Sequence, residues 1–299
     1  MKDKIYGTTL FINETEIDTI YGIFKVHTFQ DVITKGYVIA LSYGDIHNDI
    51  LYTRIHSSCV TSETLQSLDC DCVEQLTGAF KKIKEKGHGI LFYLIQEGRG
   101  CGYIGKSRAC MHCQFTDDKM TTFEAYNMLG MKNDYRDYTS ISDICNILNI
   151  NPKFVLLTNN PDKIKGMKEL GLNLYKTESI EITPNPYNHS YLISKEKTGH
   201  MIYSSKTKIK NYDLPYQKVE PFVPHHLEES KRFVFISSYY IPVRPVDNKI
   251  LMENKIYNDN LDLLKNIPYE NVPNDKIILH LSPEDLKRLP SHLITQPYW

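Results

Sequence analysis

The sequence predicts an α/β (α+β) fold, a mixed β-sheet flanked by helices, followed by a C-terminal extension. Its 299 residues are 41% hydrophobic, which is enough to bury a sizeable core. From residue 19 to about residue 203, short apolar runs alternate with helix-like segments, as expected of a sheet covered by helices. After residue 203 the chain becomes polar and contains several prolines. We therefore predict an N-terminal arm at 1–18, a main domain at 19–203 and an extension of unknown role at 204–299.

Short apolar runs predict the strands. Residues 37–43 (YVIALSY), 90–95 (ILFYLI) and 154–157 (FVLL) are rich in residues that favour strands. The second and third runs are apolar throughout, as expected of buried strands. In the extension, we expect a strand at 232–243 and a helix start at 282–285 (SPED), where a capping serine precedes a proline and two acids.

Glycines and capping residues predict where the main-domain helices begin and end. We predict helices at 73–86, 121–129 and 162–170, each followed by a glycine that suits a helix end. The first segment has apolar residues at helical spacing. The second begins with Thr121 and, three residues later, Glu124, which is the pattern of a capping box.

The charge balance and the absence of long apolar runs exclude several classes of partner. Lys and Arg total 35 and Asp and Glu total 36, so a net charge of -1 gives no broad nucleic-acid-binding face. No run approaches the ~20 apolar residues of a membrane span, and residues 1–11 lack a signal-peptide pattern. We expect a cytoplasmic protein with no nucleic-acid or membrane partner. Its seven cysteines should then be thiols, metal ligands or core residues.

Three cysteines form the sharpest candidate site. Cys70 and Cys72 flank a single residue, and in an extended segment both side chains would point to the same face. Cys59 lies eleven residues before Cys70. Thiolates suit zinc, and three protein ligands leave a fourth position for a water whose pKa can fall to roughly 7. The spacing therefore indicates a catalytic zinc site.

Two other interpretations of the cysteines remain open from spacing alone. They could be reduced residues of the core. They could also form a closed structural zinc site, with a fourth ligand from Cys101, Cys110 or Cys113. The histidine and cysteine motifs of zinc nucleobase deaminases are absent from the sequence.

Two polar segments are candidates for ligand contacts. Residues 96–102 (QEGRGCG) follow a predicted strand, and their glycines allow a close approach of the backbone to a ligand. Arg99 could grip a phosphate with two nitrogens, and Glu97 could accept hydrogen bonds from base N–H groups. Seen alone, this segment could also be a solvated turn. Residues 134–137 (DYRD) are ambiguous in the same way, because a surface ion pair would explain them.

Taken together, these segments resemble the GTP cyclohydrolase II family from about residue 19 to residue 203. The matching stretches are 43–46 (YGDI), 54–57 (RIHS), the cysteine spacing of 59–72, 96–100 (QEGRG), 134–137 (DYRD) and 156–161 (LLTNNP). The resemblance implies a GTP cyclohydrolase II-like fold and the first step of riboflavin biosynthesis. In that step the imidazole ring of GTP is opened, formate and pyrophosphate leave, and a diaminopyrimidinone ribosyl phosphate remains.

The resemblance also implies roles for individual residues. Zn²⁺, one ion per chain, would be held by Cys59, Cys70 and Cys72 and would activate water for attack on C8 of guanine. Arg136 would attack the α-phosphate, with Asp134 as its base or orienting acid. The substrate contacts would be Arg54, His56, Ser58, Gln75, Glu97, Gly98, Arg99, Thr122, Thr158 and Lys163. Mg²⁺ would accompany the triphosphate, and the chain would form a homodimer.

Two positions depart from the family pattern. Cys110 stands where the family usually has a tyrosine whose hydroxyl assists the ring chemistry, and a thiol is a weaker donor than a phenol. Tyr103 and Tyr126 are conceivable substitutes. Ser58 stands where a glutamate is common. These departures leave two alternatives: a diverged enzyme that stops at the formylated ring-opened nucleotide or serves a pathway such as pyrimidine catabolism, and an inactive nucleotide-binding module with a structural zinc.

Overall fold

The computed structural model describes residues 4–115, 120–197, 199–201, 209, 249–272 and 276–288. The strand predicted at 232–243 lies outside these residues. In the described part of the chain, no helix is both long enough and apolar enough to cross a lipid bilayer.

An eight-stranded mixed sheet is the centre of the main domain, as predicted. Its strands are β1 Ile5–Tyr6, β2 Thr9–Thr19, β3 Gly22–Asp31, β4 Tyr37–Tyr43, β5 Ile50–Ser57, β6 Gly89–Leu94, β7 Lys153–Leu157 and β8 Leu174–Glu178. The spatial order is β1-β2-β3-β4-β6-β5-β7-β8. Strands β1 to β4 pair antiparallel, and β4 pairs antiparallel with β6. Strands β6, β5, β7 and β8 are parallel to one another, so their carboxyl ends meet at one edge.

All but the last residue of the first two strands lies within the segment predicted as an N-terminal arm. Strand β2 pairs with β3 along nearly its whole length, from Thr9 opposite Asp31 to Thr19 opposite Gly22. Gly22 takes a φ of 125°, a left-handed value that favours glycine, at the turn between the two strands. Much of β2 is solvent-exposed. The arm therefore forms one side of the sheet.

Seven helices of the described main domain flank the sheet. They are α1 Val60–Glu63, α2 Cys72–Lys86, α3 Gly102–Phe115, α4 Thr122–Met128, α5 Thr139–Ile147, α6 Pro161–Glu169 and α7 His189–Lys197. The predicted helices at 73–86, 121–129 and 162–170 are confirmed to within a few residues as α2, α4 and α6. The predicted capping box is present, because Thr121 accepts from the Glu124 N–H and Glu124 accepts from the Thr121 N–H.

Two hydrophobic layers cover the two faces of the sheet. On one face, Phe92 and Phe154 pack with residues of α5 and α6, including Ile141 and Met167. On the other face, α2 packs its buried residues against Phe24, Leu91 and Leu157. Most of the run at 90–95 and all of the run at 154–157 are buried because helices cover both faces of the sheet there, whereas Ile95, just after β6, is 36% exposed.

Residues 249–288 include a second, three-stranded antiparallel sheet. Strands β9 Lys249–Glu253, β10 Tyr269–Val272 and β11 Lys276–His280 lie in the order β10-β11-β9. Helices α8 Asn254–Asp259, α9 Leu261–Leu264 and α10 Pro283–Arg288 accompany them. The predicted helix start is confirmed, because Ser282 and Asp285 exchange hydrogen bonds at the N-terminus of α10. This unit buries Leu264 and Leu279 against Leu10, Val32 and Ile33 of the main domain.

Candidate metal and ligand site

The candidate site lies at the edge of the sheet where the parallel strands end. Cys59 follows β5, Glu97 follows β6 and Thr158 follows β7. Loops at the carboxyl ends of parallel strands are the usual ligand-binding position in α/β sheets. The topology therefore gathers three sequence segments that are far apart in the chain.

The three predicted metal-binding cysteines converge. Their sulfurs all lie within 4.8 Å of one another, and Cys59 Sγ is 3.8 Å from Cys70 Sγ. Cys59 directly precedes α1, and Cys72 is the first residue of α2. The expected extended geometry between Cys70 and Cys72 is wrong, because Asp71 has φ -103° and ψ 14° as the N-cap of α2. The first turn of a helix, rather than a strand, brings the two sulfurs together.

The sulfur geometry fits a zinc ion. Two sulfurs with bonds of 2.3 Å to a tetrahedral ion are about 3.8 Å apart, which matches the separation of Cys59 and Cys70. Among the described residues, no further cysteine, histidine or acid joins the group. Cys101, a candidate for a fourth ligand, donates instead to the Gly98 carbonyl at 2.7 Å. The described residues thus offer three ligands and no fourth.

Lys106, a residue of helix α3, contacts this cluster. Lys106 Nζ lies 2.9 Å from Cys59 Sγ, 2.7 Å from Thr61 Oγ1 and 2.7 Å from Glu97 Oε1. Hydrogen bonds with Cys70 and Cys72, and then the charge of Lys106, hold the pKa of Cys59 far below its usual range. Cys59 therefore favours the thiolate form.

The turn after β6 places Glu97 and Arg99 beside the cysteines. Gly98 and Arg99 both have φ 59°, and Gly100 has φ 84°, so three successive residues are left-handed. Arg99 donates to Thr122 Oγ1 at 3.1 Å, and its guanidinium lies 3.7 Å from the centre of the Phe123 ring. Its Nη1 is buried without a hydrogen-bond partner among the described residues. An acceptor atom on a bound ligand would supply the hydrogen-bond partner that Arg99 Nη1 lacks.

Strand β5 and the residue that follows it supply three more of the predicted ligand contacts. Arg54 Nη1 donates to the Leu157 carbonyl at 2.8 Å, while its Nε is buried without a partner in the described structure. Ser58 Oγ is likewise buried and unpaired there. His56 Nε2 lies 2.8 Å from Glu63 Oε1, and burial lowers the pKa of His56 to about 4. His56 is therefore a neutral residue held by Glu63.

Gln75, Thr158 and Lys163 line the same region from α2, the β7 loop and α6. Gln75 Nε2 donates to Asp71 at 3.3 Å, and its Oε1 is buried without a partner among the described atoms. Thr158 Oγ1 accepts from the Asn160 N–H at 3.0 Å.

Lys163 links the two halves of the site. Its Nζ donates to the Ile55 carbonyl at 2.8 Å. Burial, followed by the charges of Arg54 and Arg136, holds the pKa of Lys163 well below its usual value, while Cys72 opposes the shift. The pKa of Lys163 therefore depends on the charges of both the cysteine cluster and Arg136.

Asp134 and Arg136 form an ion pair at one end of this region. Arg136 Nε lies 3.0 Å from both carboxylate oxygens of Asp134, and Arg136 Nη2 also contacts Oδ2. The pair lines an open cleft of about 280 Å³ with Tyr138, Asp162, Lys165, Gly166 and Glu169. The side chain of Arg136 is 11% exposed and that of Asp134 is 38% exposed, so the pair lies at the protein surface with its guanidinium mostly buried.

The structure places the residues at the unusual positions. Cys110 lies on α3, one helical turn after Lys106, and burial raises the pKa of its thiol. Tyr126, one possible substitute phenol, is buried and donates to the Gly98 carbonyl at 3.2 Å. Tyr103, the other, is 44% exposed.

Comparisons with known proteins agree on one family. Residues 11–179, more than half of the chain, match the family described as GTP cyclohydrolase II. A protein named GTP cyclohydrolase-2 from Haemophilus influenzae (strain PittEE) is 41% identical over 194 residues, covering 64% of this chain and 88% of that relative. The protein of the same name from Pasteurella multocida (strain Pm70) is 39% identical over 200 residues, covering 66% and 90%.

Two further matches extend over a smaller part of the other protein. "Riboflavin biosynthesis protein RibBA" from Chlorobium phaeovibrioides (strain DSM 265 / 1930) is 40% identical over 194 residues, which cover 64% of this chain and 46% of that relative. Among solved structures, a two-domain 3,4-dihydroxy-2-butanone 4-phosphate synthase from A. baumannii aligns with 59% of this chain and 41% of its own. That alignment has 15% identity and a TM-score of 0.34, which is too weak to bear on fold or function.

Proposed function

The chain belongs to the GTP cyclohydrolase II family, and from that membership we propose a zinc-dependent enzyme that opens the imidazole ring of GTP. At the level of the family, this is a hydrolase of riboflavin biosynthesis that acts on GTP. The proposed products are formate, pyrophosphate and the diaminopyrimidinone ribosyl phosphate. The observation that carries the proposal is the convergence of three cysteine sulfurs beside the Glu97 turn, at the carboxyl edge of the parallel strands.

Cys59, Cys70 and Cys72 would hold the zinc ion. When bound, zinc would supply the Lewis acidity that activates water for attack on C8 of the guanine ring. With three sulfurs as the only protein ligands among the described residues, a coordination position would stay open for that water.

Buried polar atoms around the cysteines support a purine nucleotide as the ligand. Ser58 Oγ, Gln75 Oε1, Arg99 Nη1 and Arg54 Nε are all buried without partners among the described residues. Buried polar atoms normally have hydrogen-bond partners, so a set of unpaired ones in one region points to a missing ligand. The proposed base-reading group is Glu97, whose carboxylate can accept from guanine N–H groups.

The Asp134–Arg136 pair would act on the triphosphate. In the proposed step, Arg136 attacks the α-phosphorus while Asp134 accepts the guanidinium proton, the bond from the α-phosphorus to the bridging oxygen breaks, and pyrophosphate leaves with that oxygen. Water would later cleave the phosphorus–nitrogen bond of this transient guanylyl-enzyme and return Arg136 to its free form. Mg²⁺ would neutralise the triphosphate. Thr158 and Lys163 are proposed substrate contacts because they lie on the loop and helix that follow β7, next to the cleft of this pair.

A second candidate is a diverged enzyme whose product keeps the formyl group. Cys110 stands at the position of the usual tyrosine, and Tyr126 is committed to the Gly98 carbonyl. Loss of a phenol donor would slow the second hydrolysis more than the ring opening. An inactive nucleotide-binding module is a third candidate, but the described residues offer no fourth ligand to close the zinc site. The family resemblance adds a homodimer to the proposal, and the sequence itself adds a cytoplasmic location.

The proposal is tested by incubating the purified chain with GTP, Mg²⁺ and zinc and identifying the products by mass. Release of formate with the deformylated pyrimidine supports the full reaction, and a retained formyl group supports the diverged enzyme. Arg136→Ala should abolish pyrophosphate release, whereas Arg288→Ala, on the exposed helix α10, should leave it unchanged. An absence of turnover with GTP and other purine nucleotides would contradict the enzymatic proposal.

A further inference from the structure

We propose that Lys106 is a positioning residue that joins the metal-binding thiolates to the base-reading carboxylate. The inference deepens the proposed function and rests on it. In this inference, the Lys106 ammonium fixes the distance and orientation of the purine base relative to zinc. The family resemblance gives no role to this residue.

The ammonium of Lys106 uses all of its hydrogen-bonding capacity at this one point. It has three donors, and its three neighbours are Cys59 Sγ at 2.9 Å, Thr61 Oγ1 at 2.7 Å and Glu97 Oε1 at 2.7 Å. The lysine side chain is 18% exposed and that of Glu97 is 8% exposed. A largely buried, fully bonded lysine is held in one position, unlike a solvated one.

The sequence around the turn allows this approach. Gly98 has φ 59°, and a Cβ built at this residue would lie 2.8 Å from Lys106 Cβ. Only glycine leaves the space that lets α3 start so close to the end of β6. The glycine turn and the lysine are therefore parts of one local arrangement, in which Lys106 reaches back toward Cys59.

Both oxygens of the Glu97 carboxylate are tied to the segment that carries the first cysteine. Oε1 accepts from Lys106, and Oε2 accepts from the backbone N–H of Val60 at 2.7 Å. Val60 is the residue after Cys59. A base that binds Glu97 is thereby held at a distance from the metal that the protein fixes before the substrate arrives.

The charge of Lys106 also acts on the metal ligands. Three thiolates and one divalent zinc ion leave a formal excess of one negative charge, next to the further negative charge of Glu97. The ammonium of Lys106, 2.9 Å from Cys59 Sγ, offsets part of this negative charge and so favours holding the three sulfurs together around the metal. Without Lys106, the thiolate and Glu97 would repel each other.

The test compares Lys106→Met with Lys81→Met, a matched lysine on the exposed face of α2. Zinc affinity is measured by competition with a chromophoric chelator, and the sulfur-to-metal charge-transfer band is measured after Co²⁺ substitution. With Lys106→Met we expect zinc affinity to fall by roughly 10-fold or more, the Co²⁺ band to shift, and kcat for GTP to fall more than KM rises. Lys81→Met should match the wild type in each measurement. Zinc affinity, band position and kcat all equal to those of Lys81→Met would overturn the inference.

Lys106→Arg is the second variant, in case the methionine variant does not fold. Its charge is kept, but a planar guanidinium cannot donate to three acceptors arranged around one nitrogen. We expect an intermediate zinc affinity and a Co²⁺ band displaced from that of the wild type. Wild-type values of both would overturn the inference. The metal measurements need no GTP, so a wild type that binds zinc but never opens GTP would defeat the proposed function alone. A wild type that opens GTP while both Lys106 variants behave normally would defeat this inference alone.

Discussion

Lys195 Nζ lies 2.6 Å from Asp71 Oδ1, so helix α7 is tied to the residue between two of the metal-binding cysteines. Asp71 is 2% exposed, and its other oxygen accepts from Gln75. Burial opposes ionisation of Asp71, but the charge and hydrogen bond of Lys195 outweigh it and lower the pKa of Asp71. The last helix of the main domain thereby fixes the start of α2, and with it the positions of Cys70 and Cys72.

Removing this lysine should destabilise the protein. Lys195→Met leaves a buried carboxylate without its cation, and breaking a buried pair in this way costs about 3–5 kcal/mol. We expect the free energy of unfolding in urea to fall by that order at neutral pH. Because the folded-state pKa of Asp71 is lowered, this contribution is present above its unfolded-state pKa and is lost as pH falls through the folded-state pKa. Lys197→Met, on an exposed part of the same helix, is the control. Equal urea midpoints for the two variants would count against the role of the pair.

Removing one cysteine of the cluster should remove the metal. We expect roughly one zinc ion per chain in the wild type and a large loss in Cys70→Ala, because two sulfurs no longer suffice for tight binding. Cys145→Ala is the control, since Cys145 lies on α5 and is buried in the core that this helix forms with the sheet. Zinc content is measured by atomic emission after dialysis. A metal-free wild type that still turns over GTP would be incompatible with the zinc site.

Mild acid should lower the free energy of unfolding because His56 is buried in its neutral form. Burial lowers its pKa from 6.5 to about 4, so between these values the unfolded chain binds a proton that the folded protein does not. Stability is therefore complete above pH 6.5 and declines as pH falls toward 4, by roughly 3 kcal/mol in total at 1.36 kcal/mol per pKa unit. Urea unfolding between about pH 7 and about pH 5 measures this slope. His56→Gln should flatten it, whereas the exposed His47→Gln should not.

The packing of the C-terminal unit on the main domain predicts coupled unfolding. Leu279 is fully buried in the cluster that includes Leu10 and Val32, so Leu279→Ala should lower the free energy of unfolding by about 2–5 kcal/mol. Leu263→Ala, at a site that is 40% exposed, should change it little. Differential scanning calorimetry would show a single transition that moves down. A separate early transition, with the main one unmoved, would mean that the unit unfolds independently.

Local sequence signals were enough to predict several elements closely. The run at 37–43 coincides with β4, and the Thr121–Glu124 capping box marks the start of α4. These signals depend on residues within a few positions of one another, so contacts with distant segments do not change the local structure that they predict. The cysteine spacing likewise pointed to a cluster, although its local geometry was predicted wrongly. Asp71 starts a helix there, and its charge is held by Lys195, which lies 124 residues further along the chain.

Other features depend on contacts between distant segments and could not be predicted. In the sequence, Lys106 is indistinguishable from other basic residues, because its partner Cys59 lies 47 positions earlier. Cys59 follows β5, whereas Lys106 lies on α3 after β6. The position of β2 in the sheet, between β1 and β3, is similar, since its polar, exposed residues give little hydrophobic periodicity. The family resemblance supplied the roles of Asp134 and Arg136, and the structure adds that the two side chains form an ion pair in which Arg136 is mostly buried and Asp134 is exposed.

Zinc K-edge X-ray absorption of the zinc-loaded chain tests the central claim most directly, because it counts the sulfur ligands. The account predicts three sulfurs at about 2.3 Å and one lighter atom in the fourth position. Cys70→Ala should reduce the sulfur count, and Cys110→Ala should leave it unchanged. Four sulfur ligands in the wild type would contradict an open, hydrolytic zinc site.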